Sequence, residues 1–237
     1  MAQTIIAIGG GDIRTRETAP IDREIIRRSN KKHPKLLFIP TASSDSQNYW
    51  KHIQEYFGDF LKCKTDALFL LKEKPSKTRI RRKIESADII YVGGGNTLMM
   101  MRLWRRLGVD KLLRFAYANG TVLCGISAGS ICWFEWGLSD SVSCGKFEPL
   151  RCLGYLPGSN CPHFDGEPGR QKIFRNLIAR NQIPAGYAAD DGVALHFVNE
   201  KLVEAVSIKS SANAYQISPE SGKARQIVIR PRLLNHE

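Results

Sequence analysis

Three apolar runs in this chain end abruptly in glycine. Residues 5–8 run into Gly9, Gly10 and Gly11; residues 89–92 run into Gly93, Gly94 and Gly95; residues 121–124 run into Gly125. Runs of this length, apolar at every position but Thr121, are too short for buried helices and read as strands covered on both faces. Amphipathic stretches suited to helices lie between them, at residues 22–29, 44–57, 78–87, 97–108 and 109–118. Two further strands are expected at residues 36–39, stopped by Pro40, and 66–71. Strands alternating with helices imply an α/β fold with a mostly parallel sheet sandwiched by helices.

The second half is less regular. Residues 138–162 are rich in glycine, proline, serine and cysteine and read as loops and short strands. A helix is expected at residues 168–179 and strands at 186–189, 193–198, 201–206 and 226–229. The last three suit an antiparallel extension, with Asn199-Glu200 as a hairpin turn. With no internal repeat or linker, residues 1–237 are expected to form a single domain.

Composition narrows the class of protein. Hydrophobic residues make up 43% of the 237, enough for a substantial core. The start shows no basic region ahead of a long apolar run, and no stretch suits a bilayer crossing. Six cysteines in a chain of this size read as reduced thiols, so a cytoplasmic location is expected. The net charge of +12 comes from dispersed runs at residues 23–32, 72–83 and 225–232, none interleaved with aromatics. A solvated basic face is therefore expected; no nucleic acid and no membrane is a predicted partner.

The segment Cys124-Gly125-Ile126-Ser127-Ala128-Gly129-Ser130 leaves a strand and enters a helix. Small residues two either side of Ser127 fit a nucleophile elbow, a sharp turn that lifts the hydroxyl above the sheet edge. The Ala128 N–H can then face a developing oxyanion, whereas Ser130 should already lie inside the helix. A serine nucleophile needs a base. Of the five histidines, His33, His52, His196 and His236 lie in a charged loop, a polar helix, a strand and the chain end, while His163 lies in the loop-like Asn160-Cys161-Pro162-His163-Phe164-Asp165-Gly166. His163 is the favoured base. Its orienting acid is left open among Asp140, Asp165 and the pair Asp190-Asp191, of which at most one member can face the site. The Gly93-Gly94-Gly95 turn suits a second oxyanion donor, since it lacks the lysine of a phosphate-binding loop. Gly9-Gly10-Gly11 reads as a tight turn. Cys144, Cys152, Cys161 and His163 lie close in sequence but without metal-ligand spacing, so no metal is expected.

The ordered set Gly93-Gly94-Gly95-Asn96-Thr97, Gly125-Ile126-Ser127-Ala128-Gly129-Ser130 and Pro162-His163-Phe164 resembles the S51 family of serine peptidases. That family contains aspartyl dipeptidase and cyanophycinase, and its fold is similar to the class I glutamine amidotransferase domain. The resemblance covers nearly the whole chain and implies Ser127 as nucleophile and His163 as base. It implies Asp140 as third member by likeness to the dipeptidase branch, and Asp191 by likeness to the cyanophycinase branch; Asp140 is slightly favoured. It implies oxyanion donors at Gly94 or Gly95 beside Ala128, and Arg170 as the residue that meets a substrate aspartate. The function implied is a serine exopeptidase acting on a small peptide through an acyl-enzyme, with dipeptides carrying an N-terminal aspartate in view. Glu167-Pro168-Gly169 departs from the dipeptidase pattern just before Arg170. The alternatives are cyanophycinase-like or other peptidase specificity, and a non-catalytic binding protein of the same fold. No cofactor is implied, and assembly is left open up to a homodimer.

Overall fold

In this computed structural model, which describes residues 2–143 and 145–235, the glycine-terminated runs form the centre of a parallel sheet. Cys144 and His236 lie outside the described residues. β1 (Thr4–Ile8) pairs in parallel with β5 (Val122–Ile126), β5 with β4 (Ile89–Val92), β4 with β2 (Lys35–Ile39), and β2 with β3 (Lys64–Ala67). The strand alternation splits the core in two. Ile5 and Ala7 face one apolar cluster, while Ile6 and Ile8 face another. The second cluster is covered by α1 (Ala19–Arg28) and by α2 (Gln47–Ile53), which continues as a π-helical turn (Gln54–Phe60). The first is covered by α3 (Lys77–Glu85), α4 (Thr97–Leu107) and α5 (Val109–Ala118), with Trp104 fully buried and its indole N–H donating to the Thr41 hydroxyl at 3.1 Å. Covering both faces in this way is what parallel strands require.

The sheet grows to eight strands on the β1 side. β10 (Val193–Val198) runs antiparallel to β1, and β11 (Lys201–Ser207) folds back on β10 through Asn199 and Glu200, whose φ values of 48° and 66° make the expected two-residue hairpin. β14 (Arg232–Leu233) closes the edge.

A second, six-stranded sheet departs from the expectation of one sheet. The glycine- and proline-rich middle forms β6 (Phe134–Ser143), β7 (Lys146–Arg151) and β8 (Leu156–Cys161). β9 (Gly186–Ala189), β12 (Ala214–Glu220) and β13 (Lys223–Ile229) complete it, and α7 (Arg170–Ala179) packs Phe174 and Ile178 on its outer side. The predicted strand at residues 226–229 therefore does not extend the first sheet. It pairs with β12, which the sequence did not suggest because Pro219 interrupts an otherwise weak alternation. The third strand also shifts, to Lys64–Ala67, because β2 offers pairing partners only up to Phe38. Beyond it, Leu68 and Leu70 leave the sheet but stay buried, and the Asp45 carboxylate accepts the Leu71 N–H at 2.6 Å. One apolar cluster runs from Leu37 and Val92 of the first sheet to Phe134, Leu156 and Ala189 of the second.

Candidate functional site

β1, β5 and β4 are neighbours, so their three glycine turns converge at the carboxyl edge of the sheet, where open α/β sheets hold ligands. Ser127 leaves β5 with φ 56° and ψ −113°, a conformation that side chains rarely adopt and that surrounding structure must enforce. Its N–H donates to the Ile8 carbonyl at 3.2 Å. A Cβ on Gly125 would come within 2.6 Å of the Val92 carbonyl oxygen, and one on Gly129 within 2.0 Å of it. The small residues flanking Ser127 are thus demanded by backbone crowding against β4. Ala128 opens the short helix α6 (Ala128–Ile131), so its N–H has no intrahelical acceptor. Ser130 lies inside that helix, as the sequence suggested, and its hydroxyl accepts the Asn160 amide at 2.6 Å, tying the elbow to β8.

His163 follows β8, and its N–H donates to the Gly9 carbonyl at 3.3 Å. Its Nδ1 lies 2.6 Å from Asp191 Oδ1. The topology makes this meeting. Because β10 returns antiparallel along β1, Gly9 donates to Val193 and Gly192 donates to Gly10, which suspends Asp191 beside the first glycine turn. A Cβ on Gly10 would come within 2.6 Å of His163 Nδ1 and collide outright with Asp191 Oδ1. The turn read only as tight is the bed of the histidine–aspartate pair. Asp165 Oδ1 accepts the Asp191 N–H at 2.9 Å and fixes the backbone of that pair.

The hydrogen bond to His163 holds the Asp191 carboxyl below its ordinary range, more than offsetting its partial burial; the cations Lys209 and Arg170 lower it further. Asp191 is an acceptor when ionised, so Nδ1–H is the ring group that donates to it and Nε2 is the nitrogen left free of this bond.

Asp140, the slightly favoured candidate, is exposed on β6, and the His163 ring is bonded to Asp191. Asp190 points away from the pair. It is buried and accepts from the Asn213 N–H at 2.8 Å and the Tyr215 hydroxyl at 3.3 Å, and burial raises its pKa.

Gly94 lies against Ser127, since a Cβ built on it would sit 3.8 Å from Ser127 Oγ. Gly95 has φ 132°, and a Cβ there would strike the Ala42 carbonyl at 2.2 Å. Asn96 serves as the cap of α4, accepting the Met99 N–H at 2.8 Å. Tyr49, which sequence reasoning passed over as a helix-face residue, packs on Gly93 and sets its phenol against the Gly94 backbone. Burial pushes that phenol up to about 12, so it stays protonated.

Arg170 is not an open guanidinium. It is 4% exposed, its Nε donates to Glu167 Oε2 at 2.7 Å, its Nη1 reaches the Leu138 carbonyl at 3.4 Å, and it lies over the Phe147 ring. A substrate carboxylate would have to displace Glu167. The departure from the dipeptidase pattern at Glu167 thus has a structural counterpart.

The remaining described histidines are accounted for elsewhere. His33 contacts the Lys62 carbonyl, and His196 is buried beside Glu204. His52, on α2, lies near Glu55 of the π-helical turn.

The profile of peptidase family S51 matches residues 5–205. The uncharacterized peptidase YgaJ of Bacillus subtilis (strain 168) is 44% identical over 233 residues, spanning 97% of this chain and 98% of the relative. Peptidase E of Haemophilus influenzae is 26% identical over 175 residues, spanning 69% of this chain and 77% of the relative. Among solved structures, a peptidase from an acI-B1 Actinobacterium superposes with a TM-score of 0.71 at 19% identity, covering 97% of this chain and 95% of the other. A putative peptidase E protein from Listeria monocytogenes EGD-e superposes with a TM-score of 0.66 at 20% identity, covering 88% and 100%. At these identities the superpositions speak for the fold.

Proposed function

The chain belongs to peptidase family S51, and on that premise we propose that it is a serine-type exopeptidase that cleaves short peptides through an acyl-enzyme on Ser127. The observation that carries this reading is the 2.6 Å bond between His163 and Asp191, formed over the Gly9–Gly11 turn that ends β1, the strand next to the one that carries Ser127 in its strained conformation. His163 Nε2 takes the proton as Ser127 Oγ attacks the scissile carbonyl. Ionised Asp191 keeps Nδ1 protonated and stabilises the imidazolium that forms. The N–H of Ala128 and the Gly94–Gly95 backbone receive the oxyanion, the charge that develops only as the transition state is approached. His163 then protonates the leaving amine, and water, activated by the same histidine, releases the acid. Neither a metal nor an organic cofactor enters these steps.

Aspartate preference through Arg170 gains no support from a guanidinium already held by Glu167, so neutral dipeptides are expected to be cleaved as well as Asp-Xaa. Among the described residues, five buried, unpaired thiols fit the reducing cytoplasm as the working compartment. The test is a panel of dipeptides with free N-termini, assayed on the wild type and on Ser127→Ala. Hydrolysis by the wild type alone is expected, together with covalent labelling of Ser127 by a phosphonate. Equal hydrolysis by both proteins would sink the assignment of Ser127.

A further inference from the structure

Ser127 and His163 come from different sheets, yet both hang from one stretch of β1 and the turn after it. The Ser127 N–H donates to the Ile8 carbonyl at 3.2 Å, and the His163 N–H donates to the next carbonyl, that of Gly9, at 3.3 Å. Both are non-glycine residues with positive φ, 56° for Ser127 and 52° for His163. Such conformations persist only where the surrounding structure over-determines them.

A third link closes these two bonds into a ring. The Ser130 N–H donates to the Ser127 carbonyl at 2.9 Å, so a movement of Ser130 is passed to Ser127. The Ser130 hydroxyl accepts the Asn160 side-chain amide at 2.6 Å. Asn160 is held inside the second sheet, where β8 pairs it with Gly137 of β6 and Tyr187 of β9, and it lies three residues before His163. Pro162 stiffens the intervening chain. The ring therefore passes through Ile8, Ser127, Ser130, Asn160, His163 and Gly9. The bond between Ser130 and Asn160 is its side-chain link; the others are made by backbone.

Stability does not account for a polar pair at this place. Ser130 is 1% exposed and Asn160 is fully buried, and Asn160 Oδ1 has no partner among the described residues. Two apolar side chains of similar shape would serve folding as well or better. A short hydrogen bond adds what apolar contact lacks, a fixed distance and direction between α6 and β8.

We propose that Ser130 and Asn160 are positioning residues: their bond holds the elbow that carries Ser127 at a set separation from the strand end that carries His163. The proposal rests on the peptidase reading of Ser127. Both side chains are buried, so they act through Ser127 and His163 and not on the substrate.

The test replaces the pair by apolar side chains, Ser130→Ala together with Asn160→Leu, so that neither partner is left buried and unpaired. The Tm of this double variant is expected to stay within a few degrees of the wild type. Its kcat on dipeptides is expected to fall about 10–10²-fold with KM little changed, because a displaced base weakens the chemical step and not binding. Phosphonate labelling of Ser127 should slow by a similar factor. Hydrogen exchange reads the link without reference to turnover, and faster exchange confined to residues 127–131 and 160–164 is expected. Ser130→Ala alone, read by the same measurements, should show the same localised exchange and a loss of kcat. Wild-type kcat in the folded double variant, or unchanged exchange in both segments, would overturn the proposal. So would a loss of kcat accompanied by faster exchange throughout the chain, which would make the pair ordinary core residues. Localised exchange in the variants with no hydrolysis by the wild type would sink the peptidase reading and leave the link between α6 and β8 standing.

Discussion

Asp190 and Asp191 are adjacent and chemically identical, yet one is buried under Asn213 and Tyr215 and the other holds His163. The turn between β9 and β10, closed by the Val193 N–H donating to the Asp190 carbonyl at 3.2 Å, sends the two side chains to different partners, so only one reaches the histidine. Asp191→Asn removes the anion that fixes the histidine tautomer and is expected to lower kcat by about 10²–10⁴-fold. Asp140→Asn, at an exposed position on β6, is expected to leave kcat close to wild type. Steady-state kinetics on both variants checks this ordering, and a larger loss in Asp140→Asn would reverse the assignment. The elbow of Ser127 and the loop of His163 were legible in the sequence because each is a local pattern, the one between strand and helix, the other after a strand. The acid partner was not, because its choice depends on a contact 28 residues away. Gly10 was visible but uninterpreted, since nothing local says what a glycine turn will lie against.

Elements formed by short, regular patterns were read well; those defined by their neighbours were not. β1, β2, β4, β5 and the β10–β11 hairpin appear close to their expected positions, whereas β12 and the second sheet exist because their partners do. Between α1 and the π-helical turn the fold also buries a carboxylate. Asp22 is fully buried, accepting from the Thr18 hydroxyl at 2.7 Å and the Tyr56 hydroxyl at 2.8 Å. Burial outweighs these bonds and raises its pKa to about 7 from an ordinary 3.8. The folded state thus binds this proton more tightly than the unfolded chain. The resulting stabilisation is full below the unfolded value and is lost as pH rises through about 7. Relative to Asp22→Asn, the wild type should lose at most about 1.4 kcal/mol per pH unit across that window. Urea unfolding of both proteins at several pH values measures the difference. A difference independent of pH would show that Asp22 titrates normally.

At the scale of the whole molecule, the proposed site draws Ser127 from the first sheet, His163 from the end of a strand in the second, and Asp191 from the crossing between them. A shared apolar cluster joins the sheets, so they should unfold as one unit despite separate hydrogen-bond networks. Urea transitions followed by tryptophan fluorescence and by residual activity are expected to coincide. Activity lost well before the fluorescence change would mean that the second sheet opens alone. The sequence by itself determined the elements whose information is local: the parallel strands, the glycine turns that end them, the strained serine and the histidine loop. Only the tertiary structure decided which acid meets His163 and that Arg170 is closed by Glu167. The physical reason is that these outcomes depend on strand order and direction. The return of β10 along β1 brings residues far apart in the chain within hydrogen-bond reach, and no local pattern encodes that pairing.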